Sequence, residues 1–149
     1  MSIKLDKDVV QAWAQLHFTH KLLLEKVENA LKNSGLPPLA WYDVLLELNR
    51  EKSVGLRQYE IGEKILLSKH NLSRLIDRLE KNSLVSRNEC VEDGRGNRIK
   101  ITPKGIKVMK EVWPIYGQSI KESFGEKLDY SDITALSRIL NKISTNKDS

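Results

Sequence analysis

From Val9 to Leu31 the apolar positions recur at steps of three and four. Val9, Trp13, Leu16, His20, Leu23, Val27 and Leu31 share one helical face, which Asp6 or Asp8 can cap and Asn33-Ser34-Gly35 can end. Val10, His17 and Leu24 add a second apolar edge, so the stripe is wider than one small domain needs to cover, and a partner chain is expected. After Pro37-Pro38, the positions Trp41, Val44, Leu45 and Leu48 set a shorter helix that Lys52-Ser53-Val54-Gly55 breaks. Leu56-Arg57-Gln58-Tyr59 has room only for an edge pairing, and Glu60 to Leu66 holds one compact helix with Ile61 and Ile65 inward. Ser68 then caps a helix with Leu72, Leu75, Ile76 and Leu79 on one face and His70, Ser73, Arg74 and Asp77 opposite. A short helix, a turn and a second helix with a polar, basic outer face is the layout of a helix-turn-helix.

The period then changes. Leu84 to Val91 and Arg98 to Ile101 mix β-branched and charged residues around the turn formers Glu92-Asp93-Gly94-Arg95-Gly96-Asn97, which predicts a β-hairpin. Thr102 caps the next helix, with Pro103 in its first position, where a missing N–H costs nothing. That helix is expected to reach about Phe124, with Ile106, Met109, Val112, Trp113 and Tyr116 apolar and a kink at Pro114. Asp129 or Ser131 caps a last helix striped by Ile133, Leu136, Ile139, Leu140 and Ile143, beyond which Thr145 to Ser149 is expected to fray. The predicted fold class is mainly α with a small β-hairpin wing.

Composition narrows the function. A length of 149 residues points to one domain, 1–149, and the absence of any apolar run near the ~18 residues of a membrane span argues for a cytoplasmic protein. The single cysteine, Cys90, excludes an internal disulfide and multi-cysteine zinc sites. Net charge is +5, and its placement is uneven. Between Lys64 and Lys107 stand eleven Lys/Arg against five Asp/Glu, whereas the rest of the chain carries fourteen against fifteen. The entire positive excess sits in the middle third, which suits a polyanionic partner, nucleic acid first. Catalysis is not expected: no Gly-rich phosphate loop follows a strand, no nucleophile elbow occurs, and no paired carboxylates in an apolar setting are evident.

The run Leu67-Ser68-Lys69-His70-Asn71-Leu72-Ser73-Arg74-Leu75-Ile76-Asp77-Arg78-Leu79-Glu80, then Leu84-Val85-Ser86-Arg87, then Asp93-x-Arg95-x-x-x-Ile99-x-Ile101-Thr102-x-Lys104-Gly105, resembles the recognition helix and wing of the multiple-antibiotic-resistance regulator (MarR) family. The resemblance covers almost the whole chain. It implies a homodimeric winged helix-turn-helix repressor on a palindromic double-stranded DNA operator, with 37–102 as the DNA-binding lobe and 6–34 and 103–145 as dimerisation helices. It further implies that Ser68, Lys69, His70, Asn71, Ser73 and Arg74 meet DNA from the recognition helix. Arg95 would reach a minor groove from the wing tip, Asp93 would orient it, and Arg98 would touch backbone phosphate. The chemistry agrees, since Arg can bind a guanine edge bidentately and a Gly-flanked Arg suits a narrow, electronegative minor groove. Where many members have glycine after the recognition helix, this chain has Asn82-Ser83, so one of the two must take a left-handed cap.

The resemblance also implies that Trp13, His17, Trp41, Tyr42, Trp113 and Tyr116 line a cleft for a small aromatic or phenolic effector; the plainer alternative is ordinary aromatic core. No cofactor or metal is expected. His17 and His20 are three apart on the first helix without obvious further ligands, and Cys90 has only Arg87 and Arg98 to lower its thiol pKa, so metal- or redox-responsive versions of the same regulator are alternatives. A winged-helix protein-interaction module without DNA binding is another.

Overall fold

The computed structural model describes residues 2–89 and 97–145. Cys90, the Val91 end expected of the first strand, the tip residues Asp93 and Arg95 and the tail 146–149 lie outside the described residues. Within them the order is α1 (Lys7–Asn33), α2 (Leu39–Arg50), α3 (Gln58–Lys64), α4 (Lys69–Lys81), β1 (Val85–Glu89), β2 (Asn97–Ile101), α5 (Pro103–Ser123), a 3-10 turn (Gly125–Lys127) and α6 (Tyr130–Ser144). The fold is therefore mainly helical with one antiparallel hairpin, in the order the periodicities predict.

Local chemistry explains most of the boundaries. Asp6 starts α1, its carboxylate accepting from the Asp8 N–H at 2.8 Å. At the other end Gly35 has φ +69°, the Leu36 N–H donates to the Leu31 carbonyl at 2.9 Å, and the Gly35 N–H donates to Lys32 at 3.1 Å. This is a Schellman closure at the Gly the sequence offers. Pro38 cannot cap α2 with its side chain, and Glu28 of α1 does so instead, accepting from the Leu39 N–H at 2.7 Å. Helix α3 begins at Gln58, two residues before the expected start, because the Glu60 carboxylate reaches back to the Arg57 N–H at 2.9 Å. It stops at Lys64, leaving Ile65 half-buried in extended backbone.

The chain divides into two compact units, one of Glu28–Tyr116 and one of Met1–Val27 with Gly117–Ser149, the divisions falling inside α1 and α5. In the first, Val44, Leu45, Leu48, Ile61, Ile76, Leu79 and Val112 are almost wholly buried. They come from α2, α3, the inward face of α4 and α5, so each short helix buries its stripe against the others. The hairpin is held in register Val85↔Ile101, Arg87↔Ile99 and Glu89↔Asn97. Leu56 adds a third short edge, exchanging backbone hydrogen bonds of 2.9 and 2.7 Å with Ile99. Gly55 is required beside it, since at φ +81° a Cβ would stand 2.7 Å from the Ile99 carbonyl oxygen.

In the second unit the balance is reversed. Among its described residues only Val27 and Ser119 are buried, while Val9, Trp13, Leu16, Phe18, Ile139 and Ile143 are exposed. No helix among the described residues is long and apolar enough to cross a membrane.

The junction after α4 is held by several interactions. Ser83 takes the left-handed position, φ 62°, with the Leu84 N–H donating to Leu79 and the Ser83 N–H to Glu80, both at 2.9 Å. The Thr102 hydroxyl donates to the Ser83 carbonyl at 2.7 Å and accepts from the Gly105 N–H at 3.0 Å; the Lys104 ammonium donates to the Asn82 carbonyl at 3.0 Å. Gly105 lies directly beneath Leu84, whose carbonyl oxygen a Cβ at 105 would overlap. Gly105→Ala is accordingly expected to destabilise the chain by about 1–3 kcal/mol through forced backbone displacement. Ser83→Gly is expected to stabilise it by roughly 1 kcal/mol by removing the left-handed penalty. Urea unfolding midpoints of the two variants should move in opposite directions.

Candidate nucleic-acid interface

Helix α4 carries the candidate interface on the face that packing leaves outside. Leu72, Leu75, Ile76 and Leu79 point inward and are buried; Ser68, Lys69, His70, Asn71 and Arg74 are exposed and Ser73 is half-buried. The Ser68 hydroxyl accepts from the Asn71 N–H at 3.2 Å, so Ser68 is the N-cap and one first-turn donor is already taken. Lys69 and Arg74 form no ion pair among the described residues. The structure thus brings these six residues to one end and side of a helix, with Lys69 and Arg74 lacking an ion-pair partner among the described residues.

The hairpin arginines behave differently from one another and from α4. Arg98, expected at phosphate, has its Nη1 3.9 Å from the Glu60 carboxylate, the same group that caps α3. It braces β2 to α3 in this structure. Arg87, on β1, reaches across to α4: its Nη2 is hydrogen-bonded to Asp77, and its Nε stands 3.5 Å from the Glu80 carboxylate. That Nε is buried and lacks a hydrogen-bond partner, so the Glu80 contact is an ion pair without hydrogen-bond geometry. Arg87 of β1 and Arg98 of β2 are therefore both engaged by carboxylates. Strand alternation alone could not reveal this, because the partners come from other helices.

The aromatic residues separate into two groups. In the unit of Glu28–Tyr116, Tyr42, Trp113 and Tyr116 form a mutual cluster, with ring centroids 6.5 Å apart for Tyr42 and Trp113, 5.4 Å for Tyr42 and Tyr116 and 5.9 Å for Trp113 and Tyr116. Tyr42 is buried, whereas Trp113 is 52% exposed. Trp41, expected with them, makes no ring contact among the described residues and is half-buried. Trp13 and His17 pair in the other unit, centroids 4.4 Å apart. No group of three metal-capable side chains gathers among the described residues.

Asp43 is half-buried, and burial first, then the charges of Glu28 and Glu47, push its carboxyl above the ordinary value of 3.8. The Tyr42 and Tyr116 phenols are both raised above 10.0, chiefly by burial and next by the Asp43 charge. The aromatic cluster therefore sits in a negative field. Asp43 and Glu47 are one helical turn apart on α2, and Glu28 from the last turns of α1 is the third acidic group acting there.

The sequence model of the MarR family matches residues 34–96. Over 87 residues the chain is 28% identical to the HTH-type transcriptional regulator MhqR of Bacillus subtilis, a match spanning 58% of this chain and 59% of that relative. Among solved structures, AbsC, a MarR family transcriptional regulator from Streptomyces coelicolor, superposes with a TM-score of 0.86 at 28% identity, covering 96% of each chain. Sco3205, a MarR family regulator from the same organism in complex with DNA, superposes with a TM-score of 0.90 at 21% identity over 100% of this chain and 93% of that one.

The raised carboxyl of Asp43 has a sign that can be checked. The folded state holds the Asp43 proton more tightly than the unfolded chain does, so the charge penalty is absent below the unfolded value of 3.8 and grows as pH rises through the folded value. Asp43→Asn is expected to melt higher than the wild type at pH 7 and to lose that advantage as pH falls toward 4, as read by thermal unfolding at a series of pH values. An advantage that persists unchanged at low pH would contradict the assignment.

Proposed function

We propose that the chain, whose residues 34–96 match the MarR family model, is a homodimeric transcription regulator of that family that binds a palindromic duplex operator through α4 and the β1–β2 hairpin. Family and fold are those of transcription regulators rather than enzymes. The observation that carries the DNA reading is the outward face of α4, where Lys69 and Arg74 stand exposed, without an ion-pair partner among the described residues, at the amino-terminal end of a helix whose opposite face is buried. In this reading Arg74 reads a guanine edge in the major groove, Lys69 and the first-turn N–H groups meet phosphate, and His70, Asn71 and Ser73 supply short donors and acceptors. Arg95, with Asp93 beside it in sequence, reaches the flanking minor groove from the hairpin tip. That Sco3205, a neighbour of the same fold, was solved in complex with DNA supports duplex DNA as the partner of this chain.

Dimerisation is supported by the uncovered apolar stripes of α1 and α6. Each large apolar side chain moved out of water is worth about 1.5–3 kcal/mol, and a run of them from two helices is more than an isolated chain leaves exposed without a partner. A second copy placing two α4 helices about one DNA turn, ~34 Å, apart matches a palindrome. The protein works in the cytoplasm, as a repressor released by a small effector. For that small aromatic or phenolic effector, the Asp43 charge felt by Tyr42 and Tyr116 disfavours an anion beside them, with Arg50 opposing it at Tyr42. The effector biases the protein only as far as it binds one arrangement of the DNA-reading lobes better.

Arg74→Ala and Arg95→Ala are each expected to weaken binding to a selected duplex by about 1–3 kcal/mol, and Lys69→Ala to lower the slope of log affinity against log salt by about one. Fluorescence anisotropy across a salt series measures all three. Negligible duplex affinity of the wild type at every salt concentration would favour the protein-interaction module instead.

A further inference from the structure

The hairpin reaches α4 through one cation. Arg87, near the middle of β1, sends its guanidinium to two carboxylates of α4 that are three residues apart, hydrogen-bonded to Asp77 through Nη2 and 3.5 Å from Glu80 through Nε. The guanidinium lies between the hairpin and the helix, and its Nε is shut off from solvent. Arg87 is thus badly placed to meet phosphate itself. Asp77 and Glu80, in turn, are acidic residues on a helix assigned to a polyanion, where their charge opposes binding. Their pairing with Arg87 gives them a purpose.

We propose that Arg87 is a positioning residue: it latches the hairpin onto α4 through Asp77 and Glu80, so that both DNA-reading elements keep one mutual orientation without Arg87 touching DNA. The inference rests on the proposed DNA reading for its consequence, though not for the latch. A planar guanidinium suits the task, since it hydrogen-bonds Asp77 through one N–H while its delocalised charge faces Glu80, which the compact charge of an ammonium does with less directional hold. The latch matters where two elements must fit one duplex together, and little where contacts are sequence-independent and each element binds alone. The same interaction also neutralises two negative charges on the α4 side of the interface.

The test uses the full-length chain, a duplex selected by the wild type from random DNA, and an unselected random-sequence duplex. Arg87→Gln is expected to lose about tenfold on the selected duplex, to change little on the random one, and to keep the wild-type salt slope, because no phosphate contact is removed. Asp77→Asn removes a repelling charge yet is expected to lower the ratio of selected to random affinity; if that charge acts only by repulsion, both affinities rise together. The swapped pair Arg87→Glu with Asp77→Arg is expected to recover most of what Arg87→Glu alone loses. In amide exchange, Arg87→Gln should speed the hairpin amides of 85–88 and 98–101 and leave Leu72–Leu79 protected. A salt slope lower by about one in Arg87→Gln would make Arg87 a phosphate contact and overturn the proposal, as would unchanged selectivity in both single variants or no recovery in the swap. Absence of wild-type affinity for any duplex would instead overturn the DNA reading, and amide exchange would then judge the latch alone, unchanged hairpin protection refuting it.

Discussion

The carboxyl-terminal half of α4 is held by groups that come from elsewhere in the chain. Arg87 from β1 engages the Asp77 and Glu80 side chains, the Lys104 ammonium from α5 meets the Asn82 carbonyl, and the Thr102 hydroxyl meets the Ser83 carbonyl. The last carbonyls of a helix lack intrahelical donors and carry its negative dipole end, so a lysine and a hydroxyl there satisfy both needs at once. Thr102 does a second task in the same place, since its oxygen also caps α5 through the Gly105 N–H. One threonine therefore joins the end of the candidate reading helix to the start of the long helix that leaves the lobe. Gly105 permits the close approach of Leu84 that this joint requires.

The joint puts the interface side chains where packing does not compete for them. The inward face of α4 is consumed by the core, with Ile76 and Leu79 wholly buried, and the outward face is left to Lys69, His70, Asn71 and Arg74. Hydrophobic burial sets which side faces out; the ionic and hydrogen-bonded groups set how that side stands relative to the hairpin. The two contributions are separable, because a helix can slide or rotate on an apolar surface at modest cost, while a guanidinium hydrogen-bonded to a carboxylate is directional. Arg98 does comparable work on the other strand, bracing β2 against Glu60 of α3.

Elsewhere the chain is arranged by what it fails to cover. The unit containing most of α1 and all of α6 buries little more than Val27 and Ser119 among its described residues, yet its stripes are as apolar as those of the lobe. The lobe is self-sufficient in core, whereas the terminal helices are not. Between them in sequence, Tyr42, Trp113 and Tyr116 pack on one another in the field of Asp43, so an aromatic cluster that sequence alone reads as either core or ligand cleft acquires a charge preference.

The order and type of every helix, the hairpin, and the faces that α4 turns inward and outward are legible in the sequence, because helical period, caps and turn formers act over a few residues. The left-handed position at Asn82-Ser83, the Thr102 cap and the edge pairing of Leu56 are visible for the same reason. What the chain's linear order conceals is pairing at a distance. Arg87 reads as a strand residue until α4 places Asp77 and Glu80 against it, ten and seven residues away. Arg98 reads as a phosphate contact until α3 supplies Glu60, and nothing in the local sequence around Asp43 signals the burial and the Glu28 charge that raise its carboxyl. Local conformational preference is written in neighbouring residues, but the energy of a charge depends on everything folded around it, and only the tertiary structure decides that.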